Sequence, residues 1–492
     1  MDELHEYQEA FGRPVEVNAL GRHAQTSVGA SEGLETTAAM PKYGHDYAGK
    51  AGESSQSDKF GKAAERAQEG EAGKSGKKHA ADNPDNPDNP DKAHKSDKPK
   101  KLKKSSKLGK GEPGGKAQQA TAKLTKVKVP GLFTPMSLRQ VQVRNRIWLP
   151  PMCMYSVQAQ DGVATDFHYQ HYVSRALGGF GLVIVESTAV SPQARISPCD
   201  LGLWNDRQEQ ALQRIATDVR AAGAVPVIQL NHAGRKASSG CSSLGYISRT
   251  VPADLGGWQP LAPSPLAYGK MDTPRQLGVG EIGAIVEDFA AAARRAVRAG
   301  FEGIEIHAAH GYLLSEFLDP LTNVRSDEYG GEFEHRIRLV VEVADAIRAA
   351  IPQTMPLLVR VSATDWAQGG WDLEQTIELA RVLKAHGVDL VDVSTGAIVS
   401  GVYTPAKPGY QVPFAQQVRA QALVPTTAVG LITKPKQAEC IVRWGQADAV
   451  EIGRAALRDP YWPLRAAYKL GLPTNQAPYP QAYLQGAYGT KR

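Results

Sequence analysis

The sequence predicts a (β/α)8 barrel of the TIM type preceded by a long disordered N-terminal tail. Three observations carry that expectation. All seven tryptophans and all four cysteines of the 492-residue chain lie beyond residue 140, which confines the material for a core to the later part. From Gly131 onward, short apolar runs alternate with helical patterns, as βα units around a parallel sheet do. There are eight such runs, the number that closes a barrel. A doubly wound sheet is the alternative, but it needs fewer strands or two domains, and no GxGxxG follows the first strand.

The division falls at residues 1–128, a low-complexity tail, and 129–492, the folded domain. The tail is rich in Ala, Gly, Ser, Lys and Asp and nearly free of branched and aromatic apolar residues, so it cannot bury enough surface to offset the entropy of ordering it. Within it, DNPDNPDNPD (82–91) repeats a three-residue unit whose Asn-Pro steps bar helix. The basic block KAHKSDKPKKLKKSSKLGK (92–110) reads either as a polyanion-binding or nuclear-targeting patch or as a solvated linker. Residues 1–128 carry 23 Lys and Arg against 19 Asp and Glu, and the rest carries 34 against 32. The nearly neutral barrel therefore gives no electrostatic reason to bind nucleic acid.

Four scattered cysteines without a CxxC pair argue against a disulfide scaffold, a structural zinc site or an iron–sulfur cluster. The acidic start MDELHEYQEAFGRP has no apolar core of a secretory signal. No run of 18 apolar residues occurs, so no membrane span is expected. An intracellular, cytoplasmic location is the simpler expectation, with the basic block leaving nuclear targeting open.

The strands expected in order are RIWLP (146–150), GLVIVEST (181–188), VPVIQLNH (225–232), GIEIHAAH (303–310), PLLVRVSA (356–363), VDLVDVSTG (388–396), PTTAVGLI (425–432) and ADAVEIGR (447–454). Between them, Glu281–Ala299 shows an amphipathic stripe of Ile282, Ile285, Phe289, Ala293, Ala296 and Val297. Asp372 is placed to cap the helix that starts at Leu373.

Chemistry in such a barrel gathers at the C-terminal ends of the strands. The fourth run alternates Ile304 and Ile306 with Glu305 and His307, then breaks into a loop that brings His310 and Tyr312 close behind. Two imidazoles and a phenol there can bind and protonate a carbonyl compound. The last two runs end in Gly430 and in Gly453-Arg454, where such barrels often hold a phosphate on backbone N–H groups. Arg360 could lie beside a ring that becomes anionic on reduction, and Gln229 can read an amide edge. Each is weak alone, but their joint placement points to flavin mononucleotide (FMN) among phosphorylated ligands.

Four stretches then show a resemblance: LFTPMSLRQVQVRNRIWLPPMCMYS (132–156), IQLNHAGRKA (228–237), HAAHGYLLSEFLDPLTNVRSDEYGG (307–331) and VEIGRAALRDP (450–460). Together they resemble the old yellow enzyme family, in its thermophilic-like branch of NADPH dehydrogenases and xenobiotic reductases, over about residues 130–475. The resemblance implies non-covalent FMN, NADPH as hydride donor, and an activated alkene such as an α,β-unsaturated carbonyl as the small-molecule substrate. By the same resemblance Pro151, Met152, Cys153 and Ser187 would border the flavin ring, with Gln229 and Arg360 at its polar edge. Gly430, Gly453 and Arg454 would hold the ribityl phosphate. His307 and His310 would grip the substrate oxygen, Tyr312 would donate a proton, and Tyr155 and Tyr312 would stand in the pocket; apart from the resemblance, Trp366, in the loop after the fifth strand, is a candidate for a pocket wall.

Blander readings stand beside these. His307 and His310 could chelate zinc, although no third ligand is obvious in the sequence. Cys153 could be an inert core thiol, Tyr155 and Trp366 could be packing residues, and Lys236 could meet flavin or the tail of NADPH. A dienoyl-CoA reductase shares the barrel, but the Cys cluster and added dinucleotide domain expected there are absent. A silent barrel with a binding tail is the alternative from another class. The branch often ends in Tyr-x-Arg-Gly, whose arginine reaches a neighbouring subunit. Here Tyr483-Leu484-Gln485-Gly486 places a neutral amide instead, which weakens the expectation of a homo-oligomer built on that contact.

Overall fold

All eight apolar runs form strands of one parallel sheet. They are β1 (Ile147–Leu149), β2 (Leu182–Ala189), β3 (Val225–Asn231), β4 (Gly303–Ala308), β5 (Leu357–Ser362), β6 (Leu390–Ser394), β7 (Thr426–Ala428) and β8 (Ala449–Glu451). The computed structural model describes residues 129–241, 243 and 248–490. Each strand pairs with the next, and β8 pairs with β1, so the sheet closes on itself. The strands are buried on both faces, as parallel strands under a ring of helices must be.

The outer ring is α1 (Asp166–Leu177), α2 (Asp206–Ala221), α3 (Val279–Arg298), α4 (Phe333–Ala350), α5 (Leu373–Ala385), α6 (Val412–Ala422), α7 (Pro435–Arg443) and α8 (Trp462–Lys469). The stripe expected on α3 is the face it buries, with Ile282, Ile285, Phe289, Ala293 and Ala296 inside and Val297 partly covered. Asp372 caps α5, its carboxylate accepting the N–H of Gln375 at 2.9 Å.

The barrel interior is layered. At its N-terminal end the hairpin Met136–Leu138/Val141–Val143 plugs the opening. Met136, Leu138 and Val143 pack there with Trp148, Leu182, Ile184, Val225, Val227, Leu358, Leu390 and Ala449. Two residues further along the strands the side chains again point inward, and here they are polar: Glu186, Gln229, Glu305, Arg360, Asp392 and Glu451, all buried.

Two expectations need adjustment. Several strands stop earlier than their apolar runs. Thus β7 is confined to Thr426–Ala428 because Pro425 has no N–H for the ladder and Gly430 takes φ +110°. Cys199 and Cys241 form a disulfide, 42 positions apart, that ties the loop after β2 to the loop after β3. No spacing motif marks that pair, so the sequence argument against a disulfide scaffold did not anticipate it. The readings of residues 1–128 lie outside the described residues. Among the described residues no helix is long and apolar enough to cross a membrane.

Candidate active site

The chain leaves β4 through His310 (φ +59°) and Gly311 (φ +71°), two successive left-handed residues. A Cβ on Gly311 would stand 2.5 Å from the Ala397 carbonyl oxygen, so only glycine fits. The His310 N–H donates to Ser362 Oγ at 2.9 Å, fixing the turn to β5. The turn folds His310 and Tyr312 back onto His307. The rings of His307 and Tyr312 meet edge-on at 4.9 Å between centroids, and those of His307 and His310 at 5.2 Å.

The Ala309 N–H donates to His307 Nδ1 at 3.2 Å, which leaves the ring proton on Nε2 and makes that nitrogen a donor. His310 Nδ1 lies 3.4 Å from His307 Nε2, and His310 Nε2 lies 2.7 Å from Ser394 Oγ on β6. Burial holds both imidazoles well below their usual range, followed at His307 by the neighbouring His310 and at both by the charges of Arg360 and Lys236. Both are therefore neutral near pH 7 and act as hydrogen-bonding groups rather than as cations. No third His, Cys, Asp or Glu stands with them among the described residues.

Beside this group lies a cavity of about 240 Å³ lined by Tyr155, Tyr312, Lys236, Tyr268, Ile196 and Met271, among others. Cys153, Tyr155, Trp258 and Tyr312 pack against Ile196, Ala233 and Ala237 at its base. Burial and then the Cys153 sulfur push the Tyr312 phenol well above its usual range, so it keeps its proton. Burial likewise keeps the Cys153 sulfur a thiol, and the Ser187 main chain is its hydrogen-bond neighbour. Lys236 donates to the His310 carbonyl at 2.7 Å and sits 4.1 Å over the Tyr268 ring, and burial pushes its ammonium down to about 7.

The loop that carries Cys153 is held from below by Glu186 on β2. Its carboxyl accepts the Met154 N–H at 2.6 Å and pairs with the Tyr172 hydroxyl at 2.9 Å. Tyr155 takes φ +51° at the end of that loop, a conformation that a tyrosine adopts only when its surroundings impose it.

Gln229 and Arg360 each contact a carboxylate of the ionic layer under this rim. Gln229 Nε2 donates to Glu305 Oε1 at 2.8 Å, and Arg360 Nε lies 2.9 Å from Asp392 Oδ2. On the far side, the end of β8 sits beside the loop after β1, where Met152 Sδ is 3.6 Å from the position of a Cβ on Gly453. A Cβ on Gly430 would lie 3.1 Å from the Tyr410 ring and 3.2 Å from the Gln411 amide. Arg454 is exposed at the start of the short helix Arg454–Arg458. Pro151 is half-buried at the β1 end.

Two expected residues stand apart. Trp366 packs edge-on against Phe414 at 5.4 Å instead of lining the cavity, and its buried indole N–H has no hydrogen-bond partner among the described residues. Gln485 is exposed in the turn Gln481–Gly486. Sequence reasoning placed Glu186 at a strand end without giving it a role and did not single out Asp392 or Glu451. The signal was present, since an acid inside the apolar runs LVIVESTA, LVDVS and AVE has no place on a buried strand unless it faces a built site.

The sequence profile of the NADH:flavin oxidoreductase / NADH oxidase family matches residues 131–473. The NADPH dehydrogenase of Listeria monocytogenes is 48% identical over 341 residues, covering 69% of this chain and 95% of its own length. The crystal structure of the old yellow enzyme homologue from Zymomonas mobilis is 31% identical with a TM-score of 0.58, covering 70% of this chain and 94% of the other. A 2-naphthoyl-CoA reductase complexed with 2-naphthoyl-CoA aligns with a TM-score of 0.63 at 25% identity over 70% of this chain, but the match spans only 53% of that larger protein. The chain belongs to the NADH:flavin oxidoreductase / NADH oxidase family, as an FMN-dependent oxidoreductase of the old yellow enzyme type.

Proposed function

We propose that this protein is an NADPH-dependent ene-reductase that reduces the activated C=C bond of α,β-unsaturated carbonyl or related xenobiotic compounds. The observation that carries the reading is the convergence of His307, His310 and Tyr312 at the C-terminal end of β4, with Tyr312 lining the neighbouring cavity. NADPH is the donor in this reading because the Listeria relative is named an NADPH dehydrogenase.

The donor set fits FMN. Arg360 offers a fixed cation and Gln229 an amide at one level, and Gly430 sits where a side chain would crowd Tyr410 and Gln411. Gln229 and Arg360 would hold the polar edge of the ring, with Pro151, Met152, Cys153 and Ser187 along its border. Gly430, Gly453 and Arg454 would hold the phosphate. When bound, FMN supplies the hydride that NADPH has delivered to it and that the β-carbon of the alkene accepts.

The protein's own residues manage the charge and the second proton. His307 Nε2–H donates to the substrate carbonyl oxygen, where negative charge grows as the β-carbon is reduced, and His310 joins it by turning from Ser394. A preorganised donor of this kind typically contributes about 2.7–4 kcal/mol. Tyr312, protonated at all physiological pH, gives its phenolic proton to the α-carbon as general acid. Tyr155 shapes the approach to the pocket, and nicotinamide and alkene use one site in alternation.

The test is an absorbance spectrum of the purified protein followed by anaerobic addition of NADPH and then cyclohexenone. The reading requires a flavin band that bleaches with NADPH and returns with the enone. A colourless protein containing stoichiometric zinc, or a flavin that NADPH does not bleach, would sink it.

A further inference from the structure

Oxygen atoms of Glu305, Asp392 and Glu451 lie within 4.8 Å of one another. They come from β4, β6 and β8, which are not neighbours in the sheet, so they can meet only inside the barrel. Each residue is at most 1% exposed. Even-numbered strands building one interior layer is ordinary for this fold, but such layers are normally apolar. Three buried carboxyls in a row of aliphatic strands therefore ask for a reason.

Their partners supply it. Arg360 Nε is 2.9 Å from Asp392 Oδ2, and another guanidinium nitrogen is 3.5 Å from Glu451 Oε2. Thr427 Oγ1 donates to Asp392 Oδ1 at 2.6 Å. Glu305 Oε1 accepts from Gln229 Nε2 at 2.8 Å, and the opposite Glu305 oxygen is buried with no partner among the described residues. The two side chains assigned above to the flavin's polar edge are thus the two that this layer grips.

One guanidinium cannot balance three buried charges. Burial, and then the facing Asp392 charge, push the Glu451 carboxyl well up, and the same causes push Glu305 up to about 8. Asp392 has the best partners for a negative charge, the guanidinium and the Thr427 hydroxyl. The layer thus contains the Arg360–Asp392 ion pair flanked by two carboxyls that burial pushes toward their neutral form.

We propose that Asp392 is a positioning residue for Arg360, and Glu305 one for Gln229, and that this layer sets the net charge beneath the flavin's pyrimidine edge. The inference rests on the assignment of Gln229 and Arg360 to that edge. Asp392 cancels much of the positive charge of Arg360, which keeps the more negative, reduced cofactor from being over-stabilised. Removing its charge leaves the guanidinium uncompensated and favours the reduced form.

The test uses full-length FMN-loaded protein with Asp392→Asn, Glu305→Gln and Arg360→Gln. Two quantities are read: the two-electron midpoint potential of the bound flavin and the FMN dissociation constant. Asp392→Asn is expected to raise the reduced-to-oxidised ratio at a fixed potential at least tenfold, about 30 mV for a two-electron couple. Arg360→Gln is expected to lower it and to weaken FMN binding. If Arg360→Gln shifts the potential and Asp392→Asn leaves it unchanged, the inference falls while the flavin assignment stands. If Arg360→Gln changes neither quantity, the assignment itself fails and takes the inference with it. Should Asp392→Asn not fold, Glu305→Gln decides. At pH 9, where the native Glu305 carboxyl is ionised, it must raise the potential above that of the parent protein, and no shift there overturns the proposal.

Discussion

The lower and upper inward layers of the barrel are built by the same strands two residues apart, and they do different work. Leu358 and Leu390 pack with Trp148 and Val227 into a dry floor closed by the Met136–Val143 hairpin. Arg360 and Asp392, one side-chain step higher on the same strands, form an ion pair that is nearly as buried. Their adjacent pairing, Leu358 with Leu390 and Arg360 with Asp392 in one register, shows that the backbone makes no distinction between the layers. The floor holds the barrel closed by burial alone, whereas the layer above it gives up part of that stabilisation to carry charge where a cofactor's edge would rest.

The comparison breaks most sharply if the layers are disturbed separately. Arg360→Leu strands the carboxyls of Asp392, Glu305 and Glu451 and should cost about 3–5 kcal/mol of stability together with FMN binding, read by urea unfolding and by flavin content. Leu358→Ala should cost about 2–5 kcal/mol through the cavity it opens, yet leave the midpoint potential of the bound flavin where it was. Equal effects of the two on the potential would mean that the layers are not functionally distinct.

Above the ionic layer the effects concern turnover. His307→Ala removes the donor at Nε2 and should slow reoxidation by an enone about 10²- to 10³-fold, while rapid-mixing traces of NADPH oxidation stay near the parent rate. The pH profile of reoxidation is a finer test. Both imidazoles are held well below their usual range, so they are deprotonated throughout pH 6–8 and contribute no step there. Two groups beside the site lose a proton as pH rises through about 7, the Lys236 ammonium and the buried Asp200 carboxyl, and Lys236→Met should remove only the first contribution to a step there. A step that persists in Lys236→Met and vanishes in His310→Asn would show that an imidazole is charged after all. The smallest effect is expected at Trp366, whose ring packs on Phe414. Trp366→Phe should change the Michaelis constant for a small enone by less than about threefold, within the range of a packing change.

The fold was legible because short apolar runs and helical stripes alternate eight times, and a further strand of that sheet that the runs did not announce, Leu201–Gly202, is a two-residue addition beside β2. The β4 mouth was legible for a similar reason, since His307, His310 and Tyr312 lie within six residues and a single turn brings them together. What could not be read were contacts between distant strands. Glu451 finds Arg360 only across the barrel, Asp392 reaches it from the neighbouring strand, and nothing in LVDVS or AVE says which interior neighbour each will meet. Cys199 and Cys241 are joined across two loops with no spacing signature. Trp366 takes a left-handed backbone conformation, φ +57°, and its indole packs on Phe414, neither of which the sequence reports.

The central claim is that the two half-reactions share one site but use different residues, with Tyr312 needed for only one of them. Stopped-flow measurement of both half-reactions in Tyr312→Phe tests it most directly. Flavin reduction by NADPH should stay within about twofold of the parent protein, and reoxidation by cyclohexenone should fall about 10²-fold or more, the usual contribution of a general acid. Equal loss in both half-reactions, or none in either, would contradict the account.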